Sequence, residues 1–185
     1  MKLINYSLVF IALTFISCGA SKTTATAAEI EALNILIKNK QFTIESDWAY
    51  PQVTNAMQQV LNSGLLQPGS SAGSISLVGN TNFLTVSGDS ISSYLPYFGE
   101  RQMQVDYGGT DSGIQFSGLM KDYKTVKNKD QSFDITFNAK SNNENFNVYI
   151  KIYPSLNTDM TLNSSSRFPI RYSGVAKPKE KQISK

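Results

Sequence analysis

The chain has 185 residues, 41% hydrophobic and 17% charged, a balance that suits one folded domain with its own core and excludes a disordered segment. A formal net charge of +3 calls for no polyanionic partner, so no nucleic-acid binding is expected. Histidine is absent and the single cysteine is Cys18, which excludes ordinary zinc sites, Ser/His and Cys/His catalysis and internal disulfides. No cofactor, metal site or catalytic residue is therefore expected.

Met1-Lys2 leads into an apolar run from Leu3 to Ile16 that is interrupted by Asn5. This is shorter than the roughly 20 apolar residues of a spanning helix. Residues 1–17 read as a signal peptide. Phe15-Ile16-Ser17-Cys18 resembles the lipobox of bacterial lipoproteins, with Phe15 where leucine is usual. Cleavage before Cys18 and acylation of its sulfur are the consequence. Each acyl methylene buried in a bilayer contributes ~0.8 kcal/mol, so several chains hold a domain to a membrane that it does not span. Gly19-Ala20-Ser21-Lys22 lacks the acidic cluster that resembles a surface-export signal. The expected location is the cell envelope, lipid-anchored in the outer membrane and facing the periplasm.

Residues 18–28 are small and polar and read as a flexible spacer after the acylated cysteine. From Ala28 to Lys40, Ile30, Leu33 and Ile37 recur at helical spacing, with Glu29 and Glu31 in the first turn and Lys38 and Lys40 in the last. One amphipathic helix is predicted, its apolar stripe facing the core. Phe42 and Ile44 then alternate with polar residues over 41–45, a first strand, and Asn55 to Gly64 holds a short helix or turn before the loop from Pro68 to Gly73.

Strands follow in series, over Ile75 to Val78, Phe83 to Val86 and Ser90 to Tyr94, separated by Gly79-Asn80 and Ser87-Gly88-Asp89. Met103, Val105 and Tyr107 alternate and turn at Gly108-Gly109 toward Ile114 and Phe116. A further hairpin joins Phe133, Ile135 and Phe137 to Phe146, Val148, Ile150 and Ile152. Asp159 to Leu162 and Phe168 to Val175 complete the series, and a mobile basic tail is expected over 177–185. No helical pattern intervenes after Gly73. The prediction is one mainly all-β domain over 29–176, an antiparallel β-sandwich or partly closed barrel with one N-terminal helix.

Several runs carry a resemblance: Phe42-Thr43-Ile44-Glu45-Ser46-Asp47-Trp48-Ala49-Tyr50-Pro51, Leu95-Pro96-Tyr97-Phe98-Gly99, Gly113-Ile114-Gln115-Phe116, and Arg167 with Ile170-Arg171-Tyr172-Ser173-Gly174. They are similar to the successive blocks of the family called domain of unknown function 4251, found in lipoproteins of Bacteroidetes. The resemblance implies export and a shared fold; the family has no assigned activity. Glu100 follows where the family often has a basic residue.

Tyr94, Tyr97 and Phe98 surround Pro96 and Gly99, and this cluster either lines a ligand pocket or closes the core at a strand end. Asp89, Glu100, Asp106 and Asp111 are the carboxylates from which a hydrolase would draw a pair, and nothing in their spacing brings two together. The expected function is a membrane-anchored, non-catalytic domain that binds an envelope protein or glycan. A carrier holding a small apolar ligand inside the β domain is the first alternative, and a carboxylate or Ser/Lys hydrolase the second.

Overall fold

The structure, a computed structural model, describes residues 25–64, 66–100, 102, 113–141 and 144–179. The leader, Cys18, the Met103–Tyr107 alternation, Asp106, Asp111 and the tail from residue 180 lie outside them.

Helix α1 spans Ala27–Asn39. The Thr26 hydroxyl accepts from the Glu29 N–H at 3.2 Å, and the Glu29 carboxylate accepts from the Thr26 N–H at 2.8 Å. This reciprocal cap satisfies two of the free donors at a helix start. At the other end Lys40 adopts a left-handed conformation, φ 48, which turns the chain directly into β1.

The strands are β1 (Gln41–Pro51), β2 (Ile75–Ser76), β3 (Phe83–Ser87), β4 (Ser90–Leu95), β5 (Ile114–Leu119), β6 (Lys121–Lys127), β7 (Phe133–Lys140), β8 (Asn145–Ile152), β9 (Asn157–Ser164) and β10 (Ile170–Pro178), with helix α2 (Asn55–Asn62) between β1 and β2. All pairings are antiparallel, in the order β5-β4-β3-β1-β10-β9-β8-β7-β6, with β2 on β1. Only Met120 separates β5 from β6. The two ends of this path are thus halves of one bent segment, and the sheet curls into a nearly closed barrel. Of the two predicted architectures, the barrel is the one formed. A bulge between Lys121 and Lys124, with Asp122 at φ 56, bends the segment where it transfers from β4 to β7.

Alternation sends Phe42, Ile44, Leu84, Val86, Ile135, Phe137, Val148, Ile150, Met160 and Tyr172 inward, and each is almost wholly buried. A side chain of this size contributes roughly 1.5–3 kcal/mol on burial, so a one-residue slip of any central strand would forfeit several such terms. Leu33, Leu36 and Ile37 of α1 join the same core. The Gly88 N–H donates to Lys40 O at 2.8 Å, and Lys127 Nζ to Asn34 Oδ1 at 3.2 Å. The helix therefore closes the end of the barrel where β1 begins and where β3 and β6 finish. Met57, Ala72 and Ile75 form a second small cluster, with Phe98 packed against both.

Two differences from the sequence reading have physical causes. β6 is not visible as an apolar alternation because all its residues but the half-buried Tyr123 are exposed. β10 continues through Lys177 and Pro178, opposite Thr43 and Phe42, so the segment read as tail begins inside the sheet.

Candidate functional site

The three aromatics singled out from the sequence take different places. Tyr94 faces outward on β4, opposite Phe83 and Gln115. Tyr97 is buried, with its hydroxyl 3.0 Å from Glu100 O and 3.1 Å from Phe168 O. Phe98 is half-buried between the two apolar clusters. The Arg167 guanidinium lies 5.0 Å from the Tyr97 ring centre, and its Nε donates to both oxygens of Glu144 at 2.9 and 3.0 Å. The Tyr172 hydroxyl donates to Pro96 O at 2.8 Å, and a Cβ on Gly99 would lie 2.7 Å from the Tyr97 hydroxyl. Here the Leu95–Gly99 run is a latch that ties the chain after β4 to the start of β10. Of the candidate carboxylates, Asp89 pairs with Lys40 at 3.1 Å, and Glu100 is exposed at the opposite end of the barrel.

A different constellation forms on the outward face. Strand register aligns Lys124, Thr136, Tyr149, Thr161, Arg171 and Tyr50 in one row, and Val126, Asp134, Lys151, Asp159, Ser173 and Trp48 in the next. Arg171 donates to Asp159 Oδ1 at 3.0 Å while its guanidinium lies 4.1 Å from the Tyr50 ring centre. Tyr153 donates to Asp159 Oδ2 at 3.2 Å, and Tyr50 and Ser173 hydroxyls lie 3.2 Å apart. Lys151 sits 5.3 Å from the Tyr153 ring centre and 3.5 Å from Asp130. This face is thus aromatic, with its charges mostly paired.

Next to it β1 carries a bulge. Ser46 opposes Gly174 and Trp48 opposes Ser173, which leaves Asp47 with no residue across from it. A bulge re-aims the side chain of the extra residue. β1 comes so close to β10 here that a Cβ on Gly174 would lie 2.0 Å from Glu45 O. Asn82 takes over as partner, accepting from the Ser46 N–H at 2.7 Å and donating to Ser46 O at 2.9 Å.

Asp47 lines two grooves at once. One, of about 370 Å³, includes Tyr153, Asn157, Thr158, Asp159 and Ser173. The other, of about 480 Å³, includes Glu45, Ser46 and the segment from Leu77 to Phe83. A larger groove of about 600 Å³ follows the barrel seam, lined by Leu119, Lys121, Phe146 and the amides of Asn138, Asn145, Asn147 and Asn163. Tyr94, Tyr97 and Phe98 line none of these three grooves. Among the described residues, no three acidic side chains gather as metal ligands would.

Burial and the neighbouring Asp134 carboxylate push the Tyr149 phenol up to about 12, and burial and Asp159 raise that of Tyr153. A phenol whose pKa is raised on folding stabilises the native state fully below its unfolded value near 10, and that contribution is lost as pH rises from there toward the folded value. Stability is therefore expected to fall between pH 10 and about 12. Tyr149→Phe should flatten the decline, as followed by denaturant unfolding at several alkaline pH values; an unchanged slope would refute the assignment.

The sequence reading passed over Asp47, Tyr153, Asp159 and Arg171. Outward alternation in Ile170-Arg171-Tyr172-Ser173-Gly174 was an available signal, but the β1–β10 pairing that sets Arg171 beside Tyr50 was not.

The fold is an antiparallel, nearly closed β-barrel with a helix over one end. The chain belongs to the DUF4251 family: the model described as Domain of unknown function (DUF4251) matches residues 24–176. Among solved structures, a DUF4251 family protein from Bacteroides eggerthii DSM 20697 is similar at 16% identity, with a TM-score of 0.54 over 83% of this chain and 90% of that one. At that identity the likeness is one of fold. No curated protein matches the chain.

Proposed function

We propose that the chain is an envelope lipoprotein, tethered to the outer membrane through acylated Cys18 and facing the periplasm, whose barrel is a non-catalytic binding domain working through the outward face around Asp47. The observation that carries the binding reading is the bulge, which sets a carboxylate without an ion pair among the described residues at the meeting of two grooves. Aromatic surface and paired charges beside such a groove are what a recognition site needs. The interior favours this over a carrier, because Phe42, Ile44, Phe137, Ile150, Met160 and Tyr172 occupy the barrel centre as packed core. The tether rests on Phe15-Ile16-Ser17-Cys18.

Two measurements test the reading separately. Mass spectrometry of the N-terminal peptide is expected to find diacylglycerol on Cys18, and Cys18→Ala should move the protein out of the membrane fraction; unchanged retention would sink the tether. Native against denaturing mass spectrometry of protein extracted gently from its own envelope should find a bound component that Asp47→Arg removes. A bare mass in the unsubstituted chain would sink the binding domain.

A further inference from the structure

Strand β7 runs on past the start of β6. Lys121 opposes Asn138, whereas Ala139 and Lys140 pair with β8 on one side and with no described strand on the other. This step opens the seam groove of about 600 Å³, well within the ~300–1,000 Å³ usual for ligand sites. Register then sets its polar lining in order. Lys121, Asn138, Asn147 and Asn163 form one row across β6 to β9, and Lys140 and Asn145 stand side by side in the next. Adjacent strands lie ~4.8 Å apart, so a ligand crossing them meets an amide at every step.

Three properties of the lining narrow the ligand. Its charge is positive: Lys121 and Lys140 line it without a carboxylate partner among the described residues, and no carboxylate lines it. Two carboxylates stand beside it and both are engaged, Glu144 by Arg167 and Asp122 by the Asn138 amide at 2.9 Å. Its amides are aimed: the left-handed turn at Asp122, φ 56, sets the carboxylate that holds Asn138, and Asn138 Oδ1 in turn accepts from Asn147 at 3.1 Å. Asn147 keeps its own carbonyl and a second N–H for a ligand, and the Asn145 and Asn163 amides are bonded to no other described residue. Its open apolar part is small, because Leu119 is 72% exposed whereas Ala139 and Phe146 are 4% and 2% exposed. A lipid chain would have one leucine to lie against. Hydroxyls donate and accept as amides do, carboxylates answer lysines, and one ring face covers one leucine. Together these are the chemistry of a uronic acid.

We infer that the seam groove binds a short acidic saccharide of the uronate class, lying across β7, β8 and β9. Its carboxylates pair with Lys121 and Lys140, its hydroxyls bond Asn145, Asn147 and Asn163, and a ring face covers Leu119. The groove shares no lining residue with the two grooves at Asp47, so this inference goes beyond the reading of that face and neither depends on the other.

The test uses the full chain, held in a neutral detergent without a sugar headgroup. Calorimetry and ligand-observed NMR are run with the tetramers of galacturonate, mannuronate and guluronate, with cellotetraose as the neutral control and hexaglutamate as the acidic peptide. At least one uronate tetramer is expected to bind, and to weaken severalfold as salt rises from roughly 0.05 to 0.5 M, because exposed charges are screened. Lys121→Gln with Lys140→Gln should weaken it about tenfold, and Asn147→Ala by a similar factor, with the melting temperature unchanged because all three side chains are exposed. Lys124→Gln with Lys129→Gln removes the same charge outside the groove and should leave the affinity intact. The inference is overturned if no uronate binds at millimolar concentration, if cellotetraose binds as well as the uronates, if Asn147→Ala changes nothing, or if the two lysine pairs cost the same. Tighter binding of hexaglutamate than of every uronate would overturn it in favour of an acidic peptide. A bound component that Asp47→Arg removes would keep the binding domain in each of these cases.

Discussion

Gly174→Ala is expected to destabilise the folded chain by about 3 kcal/mol or more, at or beyond the upper end of the usual cost of overpacking. The new methyl carbon would lie 2.0 Å from Glu45 O and 2.6 Å from Ser46 Cα, and both are backbone atoms that no rotamer change can move aside. Relief requires β1 to draw away from β10 at the bulge, which breaks the central pairing of the barrel. Gly73→Ala makes a fair control, because its added carbon meets only the Val53 side chain, at 3.1 Å. Chemical denaturation of the two variants should separate them clearly. A loss below about 1 kcal/mol for Gly174→Ala would mean that the two strands part there easily.

Arg167→Met should cost about 3–5 kcal/mol, the usual penalty for stranding one partner of a buried ion pair. Arg167 and Glu144 are 7% and 13% exposed, and Ser164 also donates to Glu144 Oε1, at 3.0 Å. Loss of the guanidinium leaves the carboxylate largely desolvated, and Tyr97 loses the cation beside its ring. The double substitution Arg167→Met with Glu144→Leu should recover most of that loss, since an apolar pair of similar volume removes the charge that was stranded. Equal instability of the single and double variants in urea would shift the explanation from charge to packing.

Local pattern carried much of the fold. The helix, both strands of the β7–β8 hairpin and most of the inward set follow from spacing alone, because a core face must alternate with solvent in a strand and recur every third or fourth residue in a helix. β1 is longer than its alternation shows, since the extra residue Asp47 puts Ser46 and Trp48 out of phase. β6 gives no pattern because it contributes so little to the interior.

The site was less legible for a related reason. In the sequence the Tyr97 run is a cluster of aromatics around a proline and a glycine, open to a ligand pocket or to a strand end that closes the core, and the Arg167 that lies over Tyr97, with its partner Glu144, comes from the β9–β10 connection and the β7–β8 turn. Asp47, Tyr153, Asp159 and Arg171 become neighbours only through the β1–β10 and β9–β10 registers. A single chain read residue by residue contains no signal for that pairing.

The same pairing sets the order in which the molecule can assemble. β1 is the first strand of the barrel in the chain and β10 the last, yet they lie side by side at its centre. Such distant contacts slow folding, because loop closure must precede any gain from pairing. Until β10 arrives, β1 and β9 each expose a full row of unpaired backbone groups, which are templates for pairing between molecules. A chain cut short before Ile170 keeps every local element and loses the strand that joins them, so its expected fate is aggregation rather than a smaller barrel.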